Sequence, residues 1–187
     1  MAILEIVKHP DDRLRRRARP VVKLDRRLRK LIADMIETMR DAAGLGLAGP
    51  QVGRGLRLFV YEDEDDRAEA LINPEIVRSS GRVIGSEGCL SIPRLHGDVA
   101  RAKVIEITGL DRRGRRVHRE VEGMLARVFQ HEIDHLDGIL FTDRADPETL
   151  HYLTDEEEAE RLARREGKSA ETELIQPDRA PALASRE

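Results

Sequence analysis

The chain has 187 residues, of which 40% are hydrophobic and 37% charged. That suits one domain with a sizeable core, a heavily charged surface and room for a tail. The net charge of −3 argues against a general nucleic-acid binder, and no run approaches the roughly 20 apolar residues that span a bilayer. Cys89 is the only cysteine, so no intramolecular disulfide can form and a cytoplasmic location is expected.

At the start, Met1 to Lys8 holds Glu5 and too short an apolar run for a signal peptide. Ala2–Val7 reads as a strand or packed arm. Asp11 or Asp12 can cap the short arginine-rich helix that follows the turn at His9-Pro10. Residues 13–30 are strongly basic. Their plain reading is a solvated face, and the sharper one is a surface that meets ribosomal RNA or another polyanion. From Asp25, Leu28, Leu31, Ile32, Met35, Ile36 and Met39 recur at three- and four-residue steps. This spacing predicts an amphipathic helix to about Ala43, stopped by Gly44.

Gly44-Leu45-Gly46-Leu47-Ala48-Gly49-Pro50-Gln51 follows. Its glycines and proline should break helix and strand alike and let backbone approach a ligand. It lacks the lysine and hydroxyl of a phosphate loop, but holds Gln51 at the end of a constrained turn. Strands are expected over Arg57–Tyr61, over Ala70–Val77 with an interruption at Asn73-Pro74, and over Ala102–Leu110 and Arg115–Val121 around the turn Asp111–Gly114. The acidic stretch 62–69 should be an exposed loop, and a polar loop should follow Glu87-Gly88-Cys89-Leu90-Ser91. A helix is placed from Met124 to Asp137, ended by Gly138, with Ile139-Leu140-Phe141 packing back. Pro147 should start one further helix, 155–165 should extend it, and 168–187 should form a disordered tail. The fold class is α+β, with largely antiparallel sheets packed around a central metal-binding helix plus a C-terminal helix. Residues 1–154 are expected to form one domain, and 155–187 a charged helical extension with a disordered tail.

The helix at 124–137 carries Gln130-His131-Glu132-Ile133-Asp134-His135-Leu136. Histidines four apart share one face, so both reach one metal ion, and Glu132 beside them can move a proton. Two histidines are too few ligands. Cys89, Glu87, His96, His118 and Asp134 are all candidates for the third, with a modest edge to Cys89 because a thiolate, two imidazoles and an open position suit a catalytic metal. His9, His118 and His151 stand in no motif and read as surface residues. Met124 and Val128 lie on the face of His131, one to two turns back. They read as an apolar pocket with Leu45 opposite, or as core.

In their order, Gly44–Gln51, Glu87–Ser91 and Gln130–Leu136 resemble the three motifs of peptide deformylases, over roughly residues 3–150. The helical C-terminal stretch is similar to the bacterial type 1 branch. The resemblance implies removal of the N-formyl group from the formylmethionine of nascent polypeptides, with release of formate. It implies metal ligands Cys89, His131 and His135, a proton-transferring Glu132, and an oxyanion held by the Gln51 side chain and the Leu90 backbone N–H. It also implies a substrate contact at the Gly46 backbone, and Fe²⁺ as cofactor with Zn²⁺, Ni²⁺ or Co²⁺ able to substitute. Gly49 stands where the family usually has alanine, and its entropy is expected to loosen the loop that places Gln51. Two alternatives come from the metal motif alone: a zinc endopeptidase of the His-Glu-x-x-His type, and a non-catalytic metal-binding relative.

Overall fold

The computed structural model describes residues 2–63, 65 and 67–163. Asp25 caps the first helix, α1 (Arg26–Asp41), by accepting the Leu28 N–H at 3.0 Å. Leu28, Ile32, Met35 and Met39 form its buried stripe, as their spacing requires. The stop differs from expectation. Gly44 N–H bonds Met39 O at 2.8 Å and Ala43 N–H bonds Arg40 O at 2.9 Å, the two bonds of a Schellman ending. The left-handed position of that ending falls on Ala43 (φ 50), not on the glycine.

After this turn the glycine-rich motif contains a strand, β1 (Gly46–Ala48), and then a 3-10 turn over Gly49–Val52. The expectation of unbroken loop is corrected here. Glycine only weakens strand propensity, and antiparallel pairing with β2 (Leu58–Glu62) supplies what the sequence lacks. Next comes β3 (Ala68–Ser80), a single long strand whose register shifts between Ile72 and Glu75, so Asn73-Pro74 makes a bulge instead of a break. Asn73 turns its side chain to both the N–H and the C=O of Val21, each at 2.8 Å. That pair pins the basic segment before α1.

Beyond β4 (Val83–Cys89), the polar loop expected after Ser91 is a ten-residue strand, β5 (Ile92–Arg101). Pro93, Gly97 and Asp98 hide it from a propensity reading. Its pairing with β4 and the inward side chains of Val99 and Arg101 hold it. The hairpin of β6 (Val104–Leu110) and β7 (Arg116–Glu122) lies where it was expected. It leads into α2 (Gly123–Leu136), which ends at Asp137 and Gly138 (φ 77). The helix expected at Pro147 is a 3-10 turn of three residues. Directly after it, His151 and Tyr152 form β8 against β5. Residues 155–163 are helical; the remainder of the expected extension and tail lies outside the described residues.

Two antiparallel sheets result, a five-stranded one in the order β1-β2-β3-β6-β7 and a three-stranded one in the order β4-β5-β8. The helix α2 lies between them and treats them differently. Ala126, Phe129 and Ile133 join Phe59, Tyr61, Ile105 and Ile107 of the large sheet in one apolar cluster. The Phe129 ring sits edge-on at 5.2 Å from Phe59 and 4.6 Å from Tyr61, and full burial of such a ring contributes about 2–3 kcal/mol. The opposite face, with Arg127, His131 and Asp134, meets the small sheet through polar contacts.

Candidate active site and metal centre

At that polar face the last residue of β4 meets α2. The ligand atoms of Cys89, His131 and His135 all lie within 4.8 Å of one another, and the Cys89 Sγ to His135 Nε2 distance is 3.2 Å. His131 gives its Nδ1 to Glu87 Oε2 at 3.0 Å, which fixes the ring and leaves Nε2 for the cluster. Burial works against a thiolate at Cys89, but His135 and His131 bring it well below the usual thiol range. One sulfur and two imidazole nitrogens around one point, two ring orientations set by helical spacing, and a thiolate favoured by its neighbours fit a single divalent metal ion.

Glu132 is buried beside this group, with Oε2 hydrogen-bonded to no described residue. Burial pushes its carboxyl up to about 7, while His131 and His135 pull the other way. A carboxyl poised near neutrality can both take and return a proton. The first motif makes the space for it: a Cβ on Gly46 would come within 2.5 Å of Glu132 Oε1.

Gln51 is almost fully buried. Its Oε1 accepts the Ala48 N–H at 2.8 Å, so Nε2 is the atom that points at the cluster, 3.2 Å from Ser91 Oγ and 3.6 Å from Cys89 Sγ. Leu90 and Ser91 make the tight turn between β4 and β5, and the Ser91 N–H points back at Cys89 Sγ at 3.4 Å. Of the expected pocket residues, Met124 and Leu45 are exposed, whereas Val128 is partly buried against the Phe129 cluster.

The other candidates for a third ligand are otherwise engaged. Asp134 is held by Arg101 at 2.5 Å and by Arg144 at 2.6 and 2.7 Å. His118 faces Glu106 on the large sheet, and His96 packs over Gly88 with its ring 6.4 Å from that of His151. Glu87 supports rather than joins the cluster. Besides His131, it takes Arg101 through both oxygens at 2.8 Å and Arg127 Nη1 at 2.7 Å. Burial opposes its charge, but Arg101 and His131 hold the carboxyl down at about 2. The sequence reading missed Arg101 and Arg127. A trace of Arg127 was there, since it stands one turn before His131 on the same face.

The Gly49 expectation is reversed. A Cβ there would lie 2.6 Å from Leu56 O and 2.9 Å from Arg54 O, both rigid backbone atoms. The missing methyl lets segment 54–58 close over the turn that carries Gln51, so the glycine tightens the loop.

A Cys-His-His group that could hold one metal ion, a buried carboxyl at its side and a carboxamide facing it are the parts that metal-dependent amide hydrolysis calls for. The profile of the polypeptide deformylase family matches residues 3–151. A peptide deformylase of Symbiobacterium thermophilum is 56% identical over 146 residues, covering 77% of this chain and 67% of that protein. One from Thermomicrobium roseum is 48% identical, covering 84% and 95%. The crystal structure of the Thermotoga maritima peptide deformylase superposes with a TM-score of 0.76 at 44% identity, covering 79% of this chain and all of that one. A further relative, from Synechococcus elongatus, superposes with a TM-score of 0.74 at 38% identity, covering 87% and 86%, and was solved in complex with actinonin. The chain belongs to the peptide deformylases, metal-dependent enzymes that remove the N-formyl group from nascent polypeptides. The endopeptidase alternative therefore falls away.

Proposed function

We propose that Cys89, His131 and His135 hold one Fe²⁺ ion in the cell, with Zn²⁺, Ni²⁺ or Co²⁺ able to take its place. When bound, the metal would supply Lewis acidity that makes water nucleophilic near neutral pH. Glu132 takes the proton as water attacks the formyl carbon and passes it to the departing amine. The Gln51 carboxamide N–H and the Leu90 backbone N–H hold the oxyanion, and losing one such donor raises the barrier by about 3–4 kcal/mol. The products are formate and a free N-terminal methionine.

Substrate selection is assigned to the mouth of the site. Leu45, Met124 and Val128 form an apolar recess for the methionine side chain, which explains why two large apolar residues stand exposed there. The backbone of Gly46, on an edge strand of the large sheet, takes the peptide as an added strand. Residues 1–154 make the catalytic unit and 155–187 an appended extension.

Among the described residues no helix is long and apolar enough to cross a membrane, and we place the enzyme in the cytoplasm beside the ribosome. The basic segment is the natural ribosome-facing surface. Arg16, Arg19, Lys23, Arg26, Arg27 and Arg29 are all exposed, and none is joined to a carboxylate among the described residues. No specific nucleic-acid sequence is read.

The observation that carries this reading is the convergence of all three motifs on one point, with Gln51 Nε2 3.6 Å from Cys89 Sγ and Gly46 against Glu132. The test is formate release from formyl-Met-Ala-Ser by anaerobically prepared protein. Wild type should release formate and be blocked by actinonin, and Glu132→Ala should be inactive while retaining metal. Full activity in Glu132→Ala would refute the proton-transfer role.

A further inference from the structure

Two segments proposed to hold the oxyanion belong to different sheets. Gln51 follows β1 of the large sheet, while Leu90 and Ser91 turn between β4 and β5 of the small one, and the two sheets share no strand. Three consecutive residues of the N-terminal arm tie these segments together. The Val7 N–H donates to Gln51 O at 2.7 Å, the Lys8 ammonium to Leu90 O at 2.6 Å, and the His9 N–H to Ser91 O at 2.9 Å.

The arm is itself held at both ends. Near the start, the Ala2 and Leu4 N–H groups donate to Asp34 Oδ1 at 3.0 Å and Thr38 Oγ1 at 2.9 Å on α1. At the other end, the Val7 side chain is buried among Leu14, Ile92, Val99, Leu140 and Phe141. A strap fixed in this way transmits a set distance between the groups it bonds.

We propose that Val7-Lys8-His9 is a clamp that sets the spacing of the two halves of the oxyanion site, with Lys8 as a positioning residue acting through Leu90. The proposal rests on the assignment of Gln51 and Leu90 to the oxyanion. Two of the clamp's bonds are backbone bonds that almost any residue could make. The third needs a long cationic side chain, and a charge-assisted bond to a carbonyl is stronger than a neutral one. It fixes the Leu90–Ser91 peptide plane, whose Ser91 N–H points at Cys89 Sγ at 3.4 Å, and with it the backbone of Leu90 on the near side of that plane. Lys8 is exposed, so its loss opens no cavity.

Lys8→Met keeps most of the stem and removes the donor. Displacing a catalytic group by about 1 Å costs ~100-fold, so a partial loosening should lower kcat about tenfold, with KM within about twofold, metal content unchanged and Lys8→Arg restoring most of the rate. Amide hydrogen exchange gives a second readout, which should be faster over 88–92 and 50–53 and unchanged in α1 and the large sheet. A Gln51→Ala variant run alongside separates the two ideas. If Gln51→Ala loses activity while Lys8→Met keeps wild-type kcat, the clamp is overturned and the oxyanion assignment stands. If Gln51→Ala keeps full kcat, the oxyanion assignment fails, and exchange alone decides the clamp: local acceleration supports it, and unchanged or uniformly faster exchange overturns it.

Discussion

Replacing Glu87 by glutamine removes one charge and no volume, yet four donors converge on the carboxylate it replaces. Oε1 receives Arg101 Nε and Arg127 Nη1, and Oε2 receives Arg101 Nη2 and His131 Nδ1. Whichever way the new carboxamide turns, its NH₂ meets an arginine N–H head-on. Arg101 keeps Asp134 as its remaining partner, so the buried positive charge is only partly balanced. Breaking a buried pair from one side costs about 3–5 kcal/mol. At roughly 2–4 °C per kcal/mol for a chain of this size, calorimetry on metal-free protein should show Tm falling by about 6–20 °C. The pH dependence has a definite sign. Glu87 is held at about 2 in the folded protein against about 4.3 unfolded. Its contribution is thus complete above pH ~4.3 and fades as pH falls toward 2, and the Glu87→Gln variant should lack that part of the acid transition. Metal binding reports the His131 bond separately, since loss of an orienting partner typically costs 10–100-fold in affinity. Chelator competition should reveal that loss. A variant with Tm within 2 °C of wild type and unchanged metal affinity would show that Glu87 neither anchors the arginines nor orients His131.

Other substitutions test other parts of the same argument. Gly46→Ala should drive its methyl into Glu132 Oε1, and displacing the proton carrier proposed there should cut kcat by about 100-fold or more, with metal content preserved. Gly49→Ala sets an entropy gain of about 0.4–1 kcal/mol against overpacking on two backbone carbonyls at about 1–3 kcal/mol. A lower Tm and a lower kcat are expected, and a higher Tm would restore the view that the glycine loosens the loop. Ala43→Gly relieves a left-handed alanine that costs about 1–2 kcal/mol. It should raise Tm by a few degrees without changing KM, as thermal melts and steady-state assays would show.

The candidate site residues were legible because the chemistry proposed for them dictates residue types at short spacing. His131, Glu132 and His135 share one helical turn, and Cys89 sits inside its own short motif. The fold class was legible for a similar reason: α1 and the β6–β7 hairpin declare themselves through local periodicity and turn residues. What escaped was assembled at long range. Strand β5 has a loop-like composition and exists because β4 and β8 flank it. Glu87, Arg101, Arg127 and Asp134 come from three separate elements, and nothing in the sequence marks two arginines as buried. The Schellman ending placed its left-handed residue one position before the glycine, because helix length is set by packing of the α1 stripe as well as by its terminal signals.

The two faces of α2 explain why the site tolerates so much buried charge. Toward the large sheet the helix is held by Phe129 and Ile133, whose contacts are strong but non-directional. Apolar packing alone would allow the small rotations and slides that a metal site cannot accept. Toward the small sheet it is held by Arg127 on Val99 O and Glu87, by His131 on Glu87, and by Asp134 on Arg101, while Arg144 of the segment after the helix also pairs with Asp134. These bonds are directional, and they fix the register of α2 against β4, the strand that delivers Cys89. Buried ion pairs are weak evidence for stability, and apolar side chains of the same volume often stabilise more. The same swap here would free His131 Nδ1 and leave the Cys89 to His135 spacing to chance. The network is thus better explained by placement than by stability: it aligns the sulfur from one sheet with the nitrogens from the helix.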